Sequence, residues 1–192
     1  MAIVADENDG NGDASGHVRL YQWSGAAWTQ LGEDIDGEAE YNYSGRSVSL
    51  SSDGTIVAIG AYGNDGNGAN SGHVRLYQYN GAAWNQLGED IDGEASGDLS
   101  EAVSLSSDGT VVAIGADEND GNGTASGHVR LYEWNGAAWN QVGEDIDGEA
   151  EDDRSGYSVS LSSDGTVVAI GAYGNDGNGS DSGHVRVYSF EQ

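Results

Sequence analysis

The heptapeptide Glu-Asp-Ile-Asp-Gly-Glu-Ala occurs three times, at residues 33–39, 89–95 and 144–150. Each copy sets hard oxygen donors at alternate positions around a glycine: Asp34, Asp36 and Glu38; Asp90, Asp92 and Glu94; Asp145, Asp147 and Glu149. Such donors suit Ca²⁺ better than any softer metal. The pattern lacks the third early ligand and the distant bidentate Glu of an EF-hand. The competing reading is a solvated Asx-type turn that links one repeat to the next.

Other positions invite weaker chemistry. The loops around Asp9, Asn11 and Asp13 offer oxygens, but Asp13 becomes Ala69, Thr124 and Ser180 in later copies, so they read as glycine-permitted turns. They lack the Lys and the following helix that a phosphate cradle needs. His17, His73, His128 and His184 share one repeat position, with Arg19, Arg75, Arg130 and Arg186 two residues on. Four equivalent copies argue against a single catalytic centre. They point instead to arginines forked onto an Asp of a neighbouring strand or link. Trp23, Trp28, Trp84, Trp134 and Trp139 read either as filling between sheets or as stacking platforms for sugars.

Composition narrows the partners. Thirty-three acidic residues stand against six arginines and no lysine, a net charge of −27. That balance opposes nucleic acid and anionic membrane surfaces, since both require a positive face. It favours a salty, calcium-containing medium, so the expected location is extracellular or at the cell surface. The start, Met1 to Gly10, has neither the basic nor the long apolar segment of a secretion signal. No apolar run approaches the roughly 20 residues of a membrane span. With 36% apolar residues the chain should nonetheless fold, and without cysteine it has no disulfides.

The elements that must position these residues recur. Gly-His-Val-Arg begins at Gly16, Gly72, Gly127 and Gly183, at spacings of 56, 55 and 56 residues. A period of this kind means one supersecondary unit stacked on copies of itself. Ser47 to Ala61 reads as two strands joined at the turn Asp53-Gly54. His73 to Tyr79 alternates in period two, with Val74 and Leu76 on one face and His73, Arg75 and Tyr77 on the other. Ala82 to Gly88 supplies a fourth strand before the acidic link, and no stretch shows helical periodicity. In Ile56 to Ala61 the large Ile56, Val57 and Ile59 neighbour the small Ala58 and Gly60, as expected where both faces are buried.

The expected fold is therefore all-β: a β-propeller of four-stranded antiparallel blades, about three and a half in this chain. The expected boundaries are a partial blade 1–37, blades 38–93 and 94–148, and a partial blade 149–192. Fourteen strands are expected, opening at the second strand of one blade and stopping after the third of another. Unpaired edges at both ends favour a homo-oligomer, with a ring-completing dimer first, or the remainder of a longer array.

The stretch Ser44 to Tyr77 resembles the FG-GAP repeats of integrin α-subunit propellers and of bacterial and algal surface proteins. The matching positions are Ser44-Gly45, Gly60-Ala61-Tyr62 and Ser71-Gly72-His73-Val74, with similar matches at Gly115-Ala116 with Gly127, and at Gly156 and Gly171-Ala172 with Gly183. The resemblance implies an extracellular, seven-bladed adhesion ring that often carries calcium between its first two strands. The chain departs from the family where Pro and Phe are missing from the motif and where Glu101 replaces its glycine. Between the first two strands it has only Ser-Ser-Asp-Gly-Thr. Taken together, these features predict a non-enzymatic surface or adhesion scaffold with a protein or glycan ligand, the alternatives being a carbohydrate-binding propeller or an engineered fragment without native activity.

Overall fold

The computed structural model describes residues 1–190. Seventeen strand segments form four antiparallel sheets, and no helix occurs among the described residues. The first sheet holds β1 (Ala2–Ala5), β2 (His17–Trp23), β3 (Trp28–Gln30) and β4 (Ile35–Asp36). The second holds β5 (Ser47–Leu50), β6 (Ile56–Ala61), β7 (His73–Tyr79), β8 (Trp84–Gln86) and β9 (Ile91–Asp92). The third repeats it with β10 (Ala102–Leu105), β11 (Val111–Ala116), β12 (His128–Trp134), β13 (Trp139–Gln141) and β14 (Ile146–Asp147). The fourth holds β15 (Ser155–Leu161), β16 (Val167–Ala172) and β17 (His184–Ser189).

The acidic heptapeptide is more than a link. Ile91 pairs with Val74 and Asp92 with His73, while Trp84 to Gln86 pair with the other end of β7. β8 and β9 are thus two halves of one broken outer strand, as are β3 with β4 and β13 with β14. The fourth strand expected over Ala82 to Gly88 is shorter than that and resumes at Ile91. With each broken strand counted once, the seventeen segments reduce to fourteen. Among the described residues the first sheet has no inner strand and the last no outer one.

The inner hairpin is closed by side chains rather than by a two-residue turn. Asp53 Oδ1 accepts bonds from Ser51 Oγ, Thr55 N and Thr55 Oγ1, so the connection runs from Ser51 to Thr55. These bonds, led by the one from the Thr55 amide, hold the Asp53 carboxyl below the usual range.

Serine and glycine explain how one sheet meets the next. Ser47 Oγ accepts from Val103 N, Ser49 Oγ from Leu105 N and Ser104 Oγ from Leu161 N, each bond joining the inner strands of neighbouring sheets. A Cβ on Gly115 would lie 2.0 Å from the carbonyl oxygen of Gly156. The sheets therefore converge at β5, β10 and β15 and pack face to face beyond them. Val18, Leu20 and Ile35 of the first sheet meet Val57, Ile59 and Tyr77 of the second. Val74, Leu76 and Ile91 meet Val103, Val112 and Ile114 of the third. Burial of β6 and β11 on both faces results, as the large residues set beside small ones predict. The architecture is a β-propeller arc.

Candidate metal centre at the blade junctions

Functional side chains gather at the junctions because of one crossing of the chain. After β9, Gly93 turns so tightly that a Cβ there would lie 1.9 Å from the Ser71 carbonyl oxygen, which admits only glycine. Asn67 of the glycine-rich loop donates its amide to the carbonyls of Gly93 and Glu94, both at 2.9 Å. Asn11 and Asn122 make the same pair of bonds in their repeats. The loop asparagines thus pin the acidic segment as it leaves one blade, and the following Glu reaches into the next.

The consequence divides each acidic heptapeptide between two places. Asp34 and Asp36 stay beside His17 of their own blade, whereas Glu38 joins His73 and Asp90 of the following one. Glu94 likewise joins His128 and Asp145, and Glu149 lies 3.8 Å from His184. The linear set Asp34, Asp36 and Glu38 is not gathered around one point, nor are its copies Asp90, Asp92, Glu94 and Asp145, Asp147, Glu149. Asp36, Asp92 and Asp147 instead overhang the loop glycines Gly10, Gly66 and Gly121. Neither does the hairpin loop between the first two strands fit calcium. It brings one carboxylate, and one oxygen of that carboxylate already accepts three internal bonds.

Arg75 and Arg130 bridge blades through a backbone carbonyl and a Glu rather than an Asp side chain, whereas Arg19 forks onto an Asp of the link as the sequence suggests. Arg130 Nη2 donates to the Asp92 carbonyl at 2.8 Å, and Nη1 stands 3.7 Å from Glu94 Oε1, both in the preceding repeat. Its guanidinium lies 5.6 Å from the Tyr132 ring centroid. Arg75 repeats this with Asp36, Glu38 and Tyr77. Arg19, in the first sheet, turns onto Asp34 of its own blade and holds that carboxyl below the usual range. Arg130→Ala should accordingly lower stability by about 2 kcal/mol, because a buried cation and its carbonyl bond vanish beside Glu94. Arg19→Ala should shift the melting temperature far less. Thermal melts of both variants check this, and equal shifts would contradict it.

Within the junctions the imidazoles are almost fully covered. Burial, then Arg130, pushes the His128 imidazole below its usual range, so it is neutral at pH 7. Burial raises the Glu94 carboxyl, with Asp145 adding to the rise.

The tryptophans also span repeats. Trp84 donates to the Leu31 carbonyl and Trp139 to that of Leu87, both at 2.8 Å. Trp28, in the first sheet, is exposed beside Trp23. Glu101, which the sequence marks only as a departure from the repeat motif, has chemistry of its own. Burial pushes its carboxyl up to about 7, near Arg46, Asp117 and Asp6, and its Oε2 is buried without a partner.

Comparison with solved structures supports the architecture. A proposed 6-phosphogluconolactonase from Bacteroides uniformis ATCC 8492 superposes with a TM-score of 0.61 at 13% identity, over 98% of this chain and 50% of that one. The periplasmic gluconolactonase PpgL of Pseudomonas aeruginosa gives 0.60 at 16%, over 98% and 49%. TolB of Acinetobacter baumannii gives 0.52 at 15%, over 98% and 40%. The chain thus spans half or less of the length of each, and identities this low establish fold alone. No curated protein matches it. The FG-GAP repeat model matches residues 35–77 and 145–188, stretches that begin in the acidic heptapeptide and close in the third strand of the next blade. The chain carries FG-GAP repeats, built here as the blades of a β-propeller.

Proposed function

We propose that the chain is a non-enzymatic repeat scaffold, a surface or adhesion-type module working outside the cell, which joins further blades through its uncovered end faces. One observation carries this reading. Val185 and Val187 are 68% and 65% exposed, whereas Val74 and Leu76, at the same repeat positions, are 0% and 1% exposed beneath the next blade. At the other end Ile3 is 47% exposed where Ile59 is 1% exposed. The two open faces are the two halves of the contact that joins blades inside the chain, so a second copy fits head to tail. Among the described residues the terminal sheets keep three strands each, each broken strand counted once, so a closed pair would present eight sheets.

Light scattering tests the association. The intact chain should exceed its monomer mass, and V185D/V187D should return it to the monomer. A strict monomer in both cases would overturn self-association. Hydrolysis of a gluconolactone above the uncatalysed rate would overturn the non-enzymatic part. The large negative charge supports an extracellular setting, where cations screen it.

A carbohydrate-binding reading has its own support. Grooves between repeats set Tyr77 and Trp84 beside Asp34 and Asp36, and Tyr132 and Trp139 beside Asp90 and Asp92. Aromatic faces next to carboxylates suit a sugar ring and its hydroxyls. A glycan array with hits lost in W84A/W139A would favour it over the scaffold alone.

A further inference from the structure

We propose that the two interior blade junctions are binding sites for a divalent transition-metal ion of the Zn²⁺ class, one held by Glu38, His73 and Asp90 and the other by Glu94, His128 and Asp145. In each trio one ligand comes from the preceding repeat and two from the following one, so the ion would staple neighbouring blades.

The distances carry the inference. His128 Nδ1 lies 3.7 Å from Asp145 Oδ2 and 3.8 Å from Glu94 Oε2. His73 Nδ1 lies 3.5 Å from Asp90 Oδ2, is buried and has no hydrogen-bond partner. The donor atoms of each trio all fall within 4.8 Å of one another. These gaps are too long for the hydrogen bonds of about 2.7–3.2 Å that such pairs form. They are close to the ~3.4 Å between donors that each sit about 2.0–2.1 Å from a tetrahedral ion.

The remaining oxygens are tied back as outer partners of metal ligands commonly are. Gln141 Nε2 bonds Asp145 Oδ1 at 2.6 Å, and Arg130 stands by Glu94 Oε1, which leaves Oδ2 and Oε2 facing the imidazole. Gln86 and Arg75 do the same for Asp90 and Glu38. Asn67 fixes the backbone of Glu94 from behind. An imidazole with two carboxylates selects Zn²⁺ or a similar metal over Ca²⁺, which takes six to eight oxygens.

The end copies define the limit. At His17 the facing oxygen, Asp34 Oδ2, already accepts both Nε and Nη2 of Arg19. At His184 only Glu149 is present among the described residues. The site count is therefore two.

Equilibrium dialysis of the chelator-stripped chain against Zn²⁺ should give two equivalents, one in H73Q and one in H128Q, and none in the double variant. Ca²⁺ at the same concentration should not compete. Because the variants replace buried residues, ¹⁵N-histidine NMR of the unmodified chain supplies a second readout: Zn²⁺ should move the Nδ1 resonances of His73 and His128 and leave those of His17 and His184 in place. Failure of Zn²⁺ to bind, binding without those Nδ1 shifts, or equal displacement by Ca²⁺ would overturn the proposal. It stands apart from self-association, since both sites lie inside one chain.

Discussion

Gly115→Ala is expected to cost about 3 kcal/mol, a fall of roughly 6–12 °C in Tm for a chain of this size, whereas Gly171→Ala should cost under about 1 kcal/mol. Both glycines sit in the same Ala-Ile-Gly-Ala strand of successive repeats. The difference lies in the neighbour that each one faces. A Cβ on Gly115 meets the Gly156 backbone of the next blade at 2.0 Å, and a rigid strand cannot withdraw without opening the junction. A Cβ on Gly171 meets only the Ser158 hydroxyl at 2.4 Å, which can rotate away. Urea unfolding of both variants separates the cases. Equal losses would mean that the glycine serves its own strand and not the junction between blades.

The second large effect depends on pH. Glu101 titrates near 7 in the folded chain, above its ordinary value of 4.5, because burial disfavours the carboxylate. Between those values the unfolded chain has released the proton and the folded chain retains it, so stability falls as pH rises through this window and levels off above it. Glu101→Gln removes that penalty. Its stability relative to the unaltered chain should be nearly unchanged at pH 4 and higher by up to about 3 kcal/mol at pH 8. Comparing the two proteins at each pH cancels the general repulsion among the other acidic groups. Parallel stability curves would show that Glu101 finds solvent or a partner in the folded chain.

Most of the single blade is legible in the sequence, because its signals are local. Period-two alternation in His73 to Tyr79 places Val74 and Leu76 on one face, and they pack there against the next sheet. The large–small run Ile56 to Ala61 announces a strand buried on both sides. The broken outer strand is not legible, since Ile91-Asp92 is a two-residue pairing set among acids and glycine that local pattern assigns to a loop. The junctions are hidden for a different reason. Glu38 meets His73 across 35 residues, and Asn67 reaches Glu94 across 27, so the repeat phase that aligns equivalent residues separates those that touch. Spacing within one repeat therefore groups Asp34, Asp36 and Glu38, while the crossing at Gly37 sends the last of them onward. Glu101 stands out as a departure from the repeat, yet its titration depends on burial beneath neighbours supplied by other repeats.

One contact recurs along the chain and is left open at its ends: the face bearing Val18 and Leu20 receives the face bearing Ile59. A cysteine-free chain allows a direct measurement of whether the open ends meet in the same way. In I3C/V187C, oxidised under mild conditions and run on a non-reducing gel, the head-to-tail contact should appear as covalent dimers that neither single variant forms in that pairing. A folded double variant that stays monomeric and retains two free thiols would contradict it.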